Sequence, residues 1–331
     1  MKFYNNINYL IIPRWFFPNN LGDSICTTFL PELIKLSHIP KDLTVITYGE
    51  DFCQLFRDNP FVKEVIDNKD TDLFQSPEIW KSLAFNRQTN QGNIFSIYPE
   101  WHPSLWKTWN SNFNYFSSSK FINLISLNYL LQNPDLHSIV KSYNYEIDCR
   151  PIINDIDMPH KDKKYIGIVP DTKLANRSEP HPGCDGKGYR FGGEEGLNHW
   201  KKLVGILRQY APIMEFSRSS LDLGDVHISN LPMKELAKAI TNCKIGIMSD
   251  GGMHHMFTAC RTQAILLGYQ KINKPEFFKV QTDYHFPDLY QCKCPIKNLS
   301  GWRDLTKTCD LSCEKVDVDQ LAEKIISKLL T

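Results

Sequence analysis

A four-residue apolar run, Ile245-Gly246-Ile247-Met248, ends abruptly in Ser249-Asp250-Gly251-Gly252. Such a run is too short for a buried helix and right for a buried strand. Asp and Gly punctuate turns, and Ser, Asp and Gly all suit a helix N-cap. Met253 to Cys260 then reads as a helix, and Ala264 to Leu267 as the next strand. Strand, tight turn, helix and strand make one βαβ unit, for which a right-handed crossover is expected. The turn brings backbone N–H groups, two glycines and two histidines to a helix N-terminus, where an anion is favoured. An ordinary tight turn of a doubly wound domain is the alternative, because short motifs also match by chance.

The same alternation runs through the chain. Asn8 to Ile12 reads as a strand, followed by a loop over Pro13 to Leu21 marked by two prolines. Gly22-Asp23-Ser24 opens a helix with Ile25, Phe29, Leu33 and Leu36 at helical spacing. Pro31 inside it should kink or restart it. Leu43–Thr47 is a strand, Gly49–Phe56 a short helix, Val62–Ile66 a strand and Ile94–Tyr98 another. A helical signal covers Phe121 to Leu131, and polar Asn154 to Lys164 reads as a linker. A second series then begins: strand Tyr165–Val169, a long loop Pro170–Leu197, helix His199–Tyr210, and strands Ile213–Phe216 and Val226–Ile228. Helix Pro232–Thr241 leads into the unit described first, and an amphipathic helix spans Val316–Leu330. Strands alternating with helices imply parallel sheets. Two α/β halves would hold a ligand between them, near the carboxyl ends of the strands.

A length of 331 residues suits two domains of ordinary size. With 42% hydrophobic residues there is ample apolar material for a core. The 38 basic and 37 acidic side chains leave a net charge of +1, which argues against a general nucleic-acid binder. No apolar run approaches the ~20 residues of a membrane span. The N-terminal segment lacks both a long apolar stretch and a small-residue cleavage site. The expectation is a cytoplasmic protein.

Three stretches line up with one family. Leu21-Gly22-Asp23-Ser24 with Thr27-Thr28, the block from Val45 to Ile66 with Asn59-Pro60-Phe61, and Leu231 to Tyr269 with Asp250-Gly251-Gly252-Met253-His254-His255 resemble, in order and spacing, the heptosyltransferase-like glycosyltransferases of family 9. The resemblance implies an α/β GT-B fold, two Rossmann-like doubly wound domains facing each other across a cleft. Residues 1–155 would form the acceptor-binding domain and residues 156–331 the nucleotide-sugar-binding domain. It implies inverting transfer of a sugar, a heptose in the first instance, without a catalytic metal. The donor would be a nucleoside-diphosphate sugar. The acceptor would be a hydroxyl of a glycan, lipid-linked glycan or protein, with peripheral contact at the inner membrane face and no nucleic-acid partner.

Asp23 then stands at the position of the general base. An acceptor hydroxyl must lose its proton as it attacks the anomeric carbon, and a carboxylate at a helix N-terminus stays ionised. A plain helix cap is the alternative. Donor-binding positions are Asp250, Gly251, Gly252 and His255, with His254 competing for the histidine assignment; Gly251 replaces the family's usual hydroxyl residue. Thr172, Lys173, Arg177, Lys187 and Arg190 supply hydroxyl and cationic candidates from the loop after the second domain's first strand, where a solvated surface charge is the bland reading for each. The aromatic stretch with Trp101, Trp106 and Trp109 reads either as packing or as an acceptor surface, since aromatic rings stack on sugars.

Ten cysteines are present, and Cys26, Cys243 and Cys260 sit in apolar elements, where a thiol acts as a small hydrophobe. Cys292, Cys294, Cys309 and Cys313 form two close pairs flanking a loop, as four-thiolate zinc or iron knuckles do. Some members of the resembling family carry a four-cysteine iron finger near the C-terminus. Reduced or disulfide-paired cysteines on a surface loop are the alternative. The same fold using a non-heptose nucleotide sugar for capsule or another glycan, or a non-catalytic sugar-nucleotide-binding protein, remain the competing functions. An intact Asp23 and Asp250-x-Gly-x-x-His pattern weigh against the last.

Overall fold

The computed structural model describes residues 7–12, 25, 27–37, 42–47, 49–68, 93–96, 153, 163–170, 193–248, 252–266 and 317–330. The chain divides into two units, each built on its own parallel sheet.

The first unit carries β1 (Ile7–Ile11), α1 (Leu30–Ser37), β2 (Asp42–Thr47), α2 (Glu50–Phe56), β3 (Glu64–Asp67) and β4 (Asn93–Ser96). Strand order is β3-β2-β1-β4, all parallel, with Leu10 opposite Val45 on one side and Phe95 on the other. The sheet therefore turns back on itself at β1, and that reversal is where open α/β sheets bind ligands. Leu10, Leu43, Val45, Ile46, Phe29, Ile34 and Phe56 are buried in this unit.

The helix expected from Gly22 onward is interrupted. Ile25 is helical, residues 27–29 form a turn, and α1 starts afresh at Leu30. Pro31 explains this, because it has no N–H to give to the carbonyl of Thr27. Leu30 donates to that carbonyl instead, at 3.0 Å. The hydroxyl and N–H of Thr28 both donate to the Ile25 carbonyl, at 2.7 and 3.0 Å. Phe29 thus reaches the core from a turn rather than from a helix face.

The second unit carries β5 (Tyr165–Val169), α3 (Gly193–Leu207), β6 (Ile213–Phe216), β7 (Val226–Ile228), α4 (Met233–Thr241), β8 (Cys243–Met248), α5 (Gly252–Ala259), β9 (Gln263–Leu266) and α6 (Val318–Leu329). Its five parallel strands run β7-β6-β5-β8-β9, again reversing at the first strand. Ile166, Ile168, Ile213, Ile245, Ile247 and Ile265 form one core with Trp200, Leu203, Val204 and Leu207 of α3 and Leu321 and Ile325 of α6. Asp317 caps α6, accepting from the N–H groups of Asp319 and Gln320 at 3.1 Å each.

The helix expected from His199 begins six residues earlier, at Gly193. Gly196 is buried and continues the stripe of Trp200, Val204 and Leu207 toward the N-terminus. Burial of that stripe outweighs the poor helix propensity of glycine, roughly 1 kcal/mol against alanine. Among the described residues no helix is long and apolar enough to cross a membrane.

Candidate functional site

In the second unit, Val169 at the end of β5 is paired with Met248 at the end of β8. The chain leaves these two residues into residues 171–192 and residues 249–251. The two strands therefore end side by side. Since β5 is flanked by β6 and β8, this point is also the reversal of strand order, where a ligand crevice is expected.

Helix α5 opens at Gly252, so Gly252 and His255 both lie in its first turn. Every side chain from His254 to Ala259 is buried. His254 is 2% exposed and His255 7%. Their rings lie 3.7 Å apart between centroids, tilted by 45°. The Thr258 hydroxyl donates to the His254 carbonyl at 3.0 Å, one turn further along.

Phe257 seats this helix on the sheet. Gly167 and Gly246 are paired on adjacent strands, and Ala264 follows Gly246 on the next. A Cβ on Gly167 would lie 3.0 Å from the tip of the Phe257 ring, and one on Gly246 would run into the ring edge. Two missing side chains thus make the hollow that the ring fills. Phe216 meets Phe257 edge-on at 5.6 Å and 81°, an arrangement favoured by the ring quadrupoles. Cys243 lies beneath the same hollow, its Sγ 3.1 Å from where a Gly167 Cβ would stand. Burial pushes its thiol up to about 12, and that of Cys260 higher still, so both behave as small hydrophobes.

Glu215, fully buried near the end of β6, went unnoticed in the sequence. Its Oε1 accepts from the Ser217 hydroxyl at 2.6 Å and the Leu221 N–H at 2.8 Å. Its Oε2 accepts from the N–H groups of Leu223 and Gly224 at 3.0 and 3.1 Å. Burial works to raise its pKa, but the Ser217 hydroxyl and three backbone donors outweigh it and hold the carboxyl below its ordinary value. The carboxylate ties down the helix-free connection between parallel strands β6 and β7, which is shorter than most such crossovers. Gly224 is required there, since a Cβ would come within 2.6 Å of the Glu215 Cβ. An acidic residue inside the apolar run Ile213-Met214-Glu215-Phe216, just before a Ser- and Gly-bearing loop, was the available signal.

Of the residues named from sequence, Gly252 and His255 are brought together in one helical turn. Asp23, Trp101, Trp106, Trp109, Thr172, Lys173, Lys187, Arg190, Asp250, Gly251, Cys292, Cys294, Cys309 and Cys313 lie outside the described residues. Among the described residues no group of three or more His, Cys, Asp or Glu is placed to hold a metal ion.

Two parallel sheets, each reversing at its first strand, with a glycine-led helix at the reversal of the second, define a doubly wound type of α/β architecture. Comparison with solved structures specifies it. The chain matches a family 9 glycosyl transferase from Veillonella parvula with a TM-score of 0.56 at 13% identity, covering 100% of this chain and 99% of that one. It matches the ADP-heptose LPS heptosyltransferase II of E. coli with a TM-score of 0.52 at 10% identity, over 100% and 99% of the two chains. It also matches the iron-containing dodecameric glycosyltransferase TibC of enterotoxigenic E. coli with a TM-score of 0.51 at 12% identity, over 100% of this chain and 77% of that one. No family profile and no curated protein sequence matches the chain. The fold is that of these heptosyltransferase and family 9 structures, the GT-B fold.

Proposed function

We propose that this protein is an inverting, metal-independent glycosyltransferase that moves a sugar from a nucleoside-diphosphate donor to a hydroxyl acceptor. The observation that supports the proposal is the pairing of Val169 with Met248, which ends β5 and β8 side by side at the reversal of strand order, where open α/β sheets are expected to bind ligands. Residues 1–155 take the acceptor and residues 156–331 the donor. An ADP-linked heptose is the first donor to test, since the name of a matched heptosyltransferase carries it.

In this reading Asp23 accepts the proton of the acceptor hydroxyl as its oxygen attacks the anomeric carbon. The bond from that carbon to the diphosphate breaks in the same displacement, which inverts the centre. The departing charge is met by N–H groups at the start of α5, by His255, and by hydroxyl or cationic groups among Thr172, Lys173, Lys187 and Arg190. Asp250 and Gly251 shape the approach to α5, and Gly252 lets backbone and phosphate come close. Trp101, Trp106 and Trp109 offer faces for acceptor sugars. The acceptor is a surface glycan, a lipid-linked glycan met at the inner membrane face, or a protein. A structural zinc or iron held by Cys292, Cys294, Cys309 and Cys313 is part of the proposal. One matched structure is described as iron-containing, which supports examining it.

The test is a panel of nucleotide sugars scored by thermal shift, followed by assay of nucleoside diphosphate released in the presence of glycan acceptors. Stabilisation by one donor class, lost in Gly252→Val, is the expected result. A panel that leaves the melting temperature unmoved would remove the donor assignment.

A further inference from the structure

Building on the assignment of His255 to the donor diphosphate, we propose that His254 is a positioning residue: its buried ring sets the plane in which the His255 imidazole meets the ligand. The outer torsion of a histidine side chain is broad and roughly two-fold, so its own rotamer does not fix the ring plane. A neighbour must. The adjacent imidazole, 3.7 Å away between centroids and tilted by 45°, lies close enough to do so.

His254 is held firmly enough to serve as a template. It is the more enclosed of the two rings. Its backbone is held by the Thr258 hydroxyl one turn along. The helix that carries it is seated by Phe257, whose ring fills the space that side chains on Gly167 and Gly246 would need. His255 retains slightly more exposure at the start of the helix and takes the tilt that the His254 face allows. Packing alone would be served by any side chain of similar volume at 254. Orientation of His255 needs a flat one.

Three substitutions separate these roles. His254→Leu fills the site without a flat face, His254→Phe keeps a flat face without ring nitrogens, and His255→Ala removes the contact itself. ADP binding to the full chain is measured by calorimetry. His255→Ala is expected to weaken it ~10-fold or more, His254→Leu by ~3- to 10-fold, and His254→Phe by less than ~2-fold. In the double variant His254→Leu/His255→Ala the loss should equal that of His255→Ala alone, because the effect of His254 passes through His255. Losses that multiply in the double variant would overturn the inference, as would a His254→Phe no better than His254→Leu.

A parallel proton NMR measurement without ligand keeps the two levels apart. The His255 ring resonance, identified by its absence in His255→Ala, should move in His254→Leu and return in His254→Phe. If it does so while His255→Ala leaves ADP affinity unchanged, the ring pairing stands and the diphosphate assignment falls. A resonance that stays put in His254→Leu overturns the pairing itself.

Discussion

The ring of Phe257 occupies the space that a side chain on Gly246 would need. A Cβ there would run into Cε1 and Cδ1 of the ring and come within 2.6 Å of the Met248 methyl. Glycine in a strand ordinarily costs roughly 0.5–1 kcal/mol relative to alanine. At this position the balance is reversed, since overpacking a core costs about 1–3 kcal/mol. Gly246→Ala should therefore lower stability in urea denaturation and weaken donor binding by tilting α5. Adding Phe257→Leu should restore part of the lost stability. Gly205, exposed in α3 with nothing within 4 Å of its would-be Cβ, is the contrast: Gly205→Ala should stabilise by about 0.5–1 kcal/mol. Equal effects at the two glycines would refute the Phe257 seat.

Glu215 predicts a pH dependence of stability. Its carboxyl is held below its ordinary value in the folded protein. Its contribution is therefore complete above the unfolded value near pH ~4.3 and is lost as pH falls through the lower folded value. Glu215→Gln places an amide N–H₂ against groups that are all donors, and should cost about 1–3 kcal/mol at neutral pH. Denaturation curves of the two proteins should converge as pH drops below about 4. A gap that is constant from pH 7 to pH 3 would contradict the ionised-carboxylate account.

Asp23→Asn keeps the size of the side chain and removes its basicity. Turnover should fall by roughly 10²-fold or more, with donor affinity nearly unchanged. Steady-state kinetics beside calorimetry separate the two quantities, and near-normal turnover would remove Asp23 from the mechanism.

Metal content decides the role of Cys292, Cys294, Cys309 and Cys313. A closed four-thiolate site predicts about one zinc or iron per chain in protein purified without a chelator or a His-tag. Less than about 0.2 per chain would rule such a site out. If metal is found, its removal should lower thermal stability, since four thiolates leave no open position for chemistry.

The kinds and order of the elements were legible in the sequence. Strands at Tyr165–Val169, Ile213–Phe216 and Val226–Ile228 fall where the apolar runs place them, and Pro31 restarts its helix as a missing donor requires. These are local properties: a turn residue or a proline acts within a few positions of itself. Within the candidate site, Gly252 and His255 were legible for the same reason, as neighbours at a helix start. The long reach of α3 to Gly193 was not, because propensity marks those glycines as loop while a buried stripe makes them helix.

What the tertiary structure alone decided is which residues face each other. The pairing of Val169 with Met248, the Phe257 ring in the hollow of Gly167 and Gly246, and the four donors on Glu215 are such facts. Periodicity shows that a residue is buried, but not against what. Partners across a parallel sheet are separated by an entire crossover, so the order of strands, and with it the contents of the crevice, is settled only when the sheet assembles.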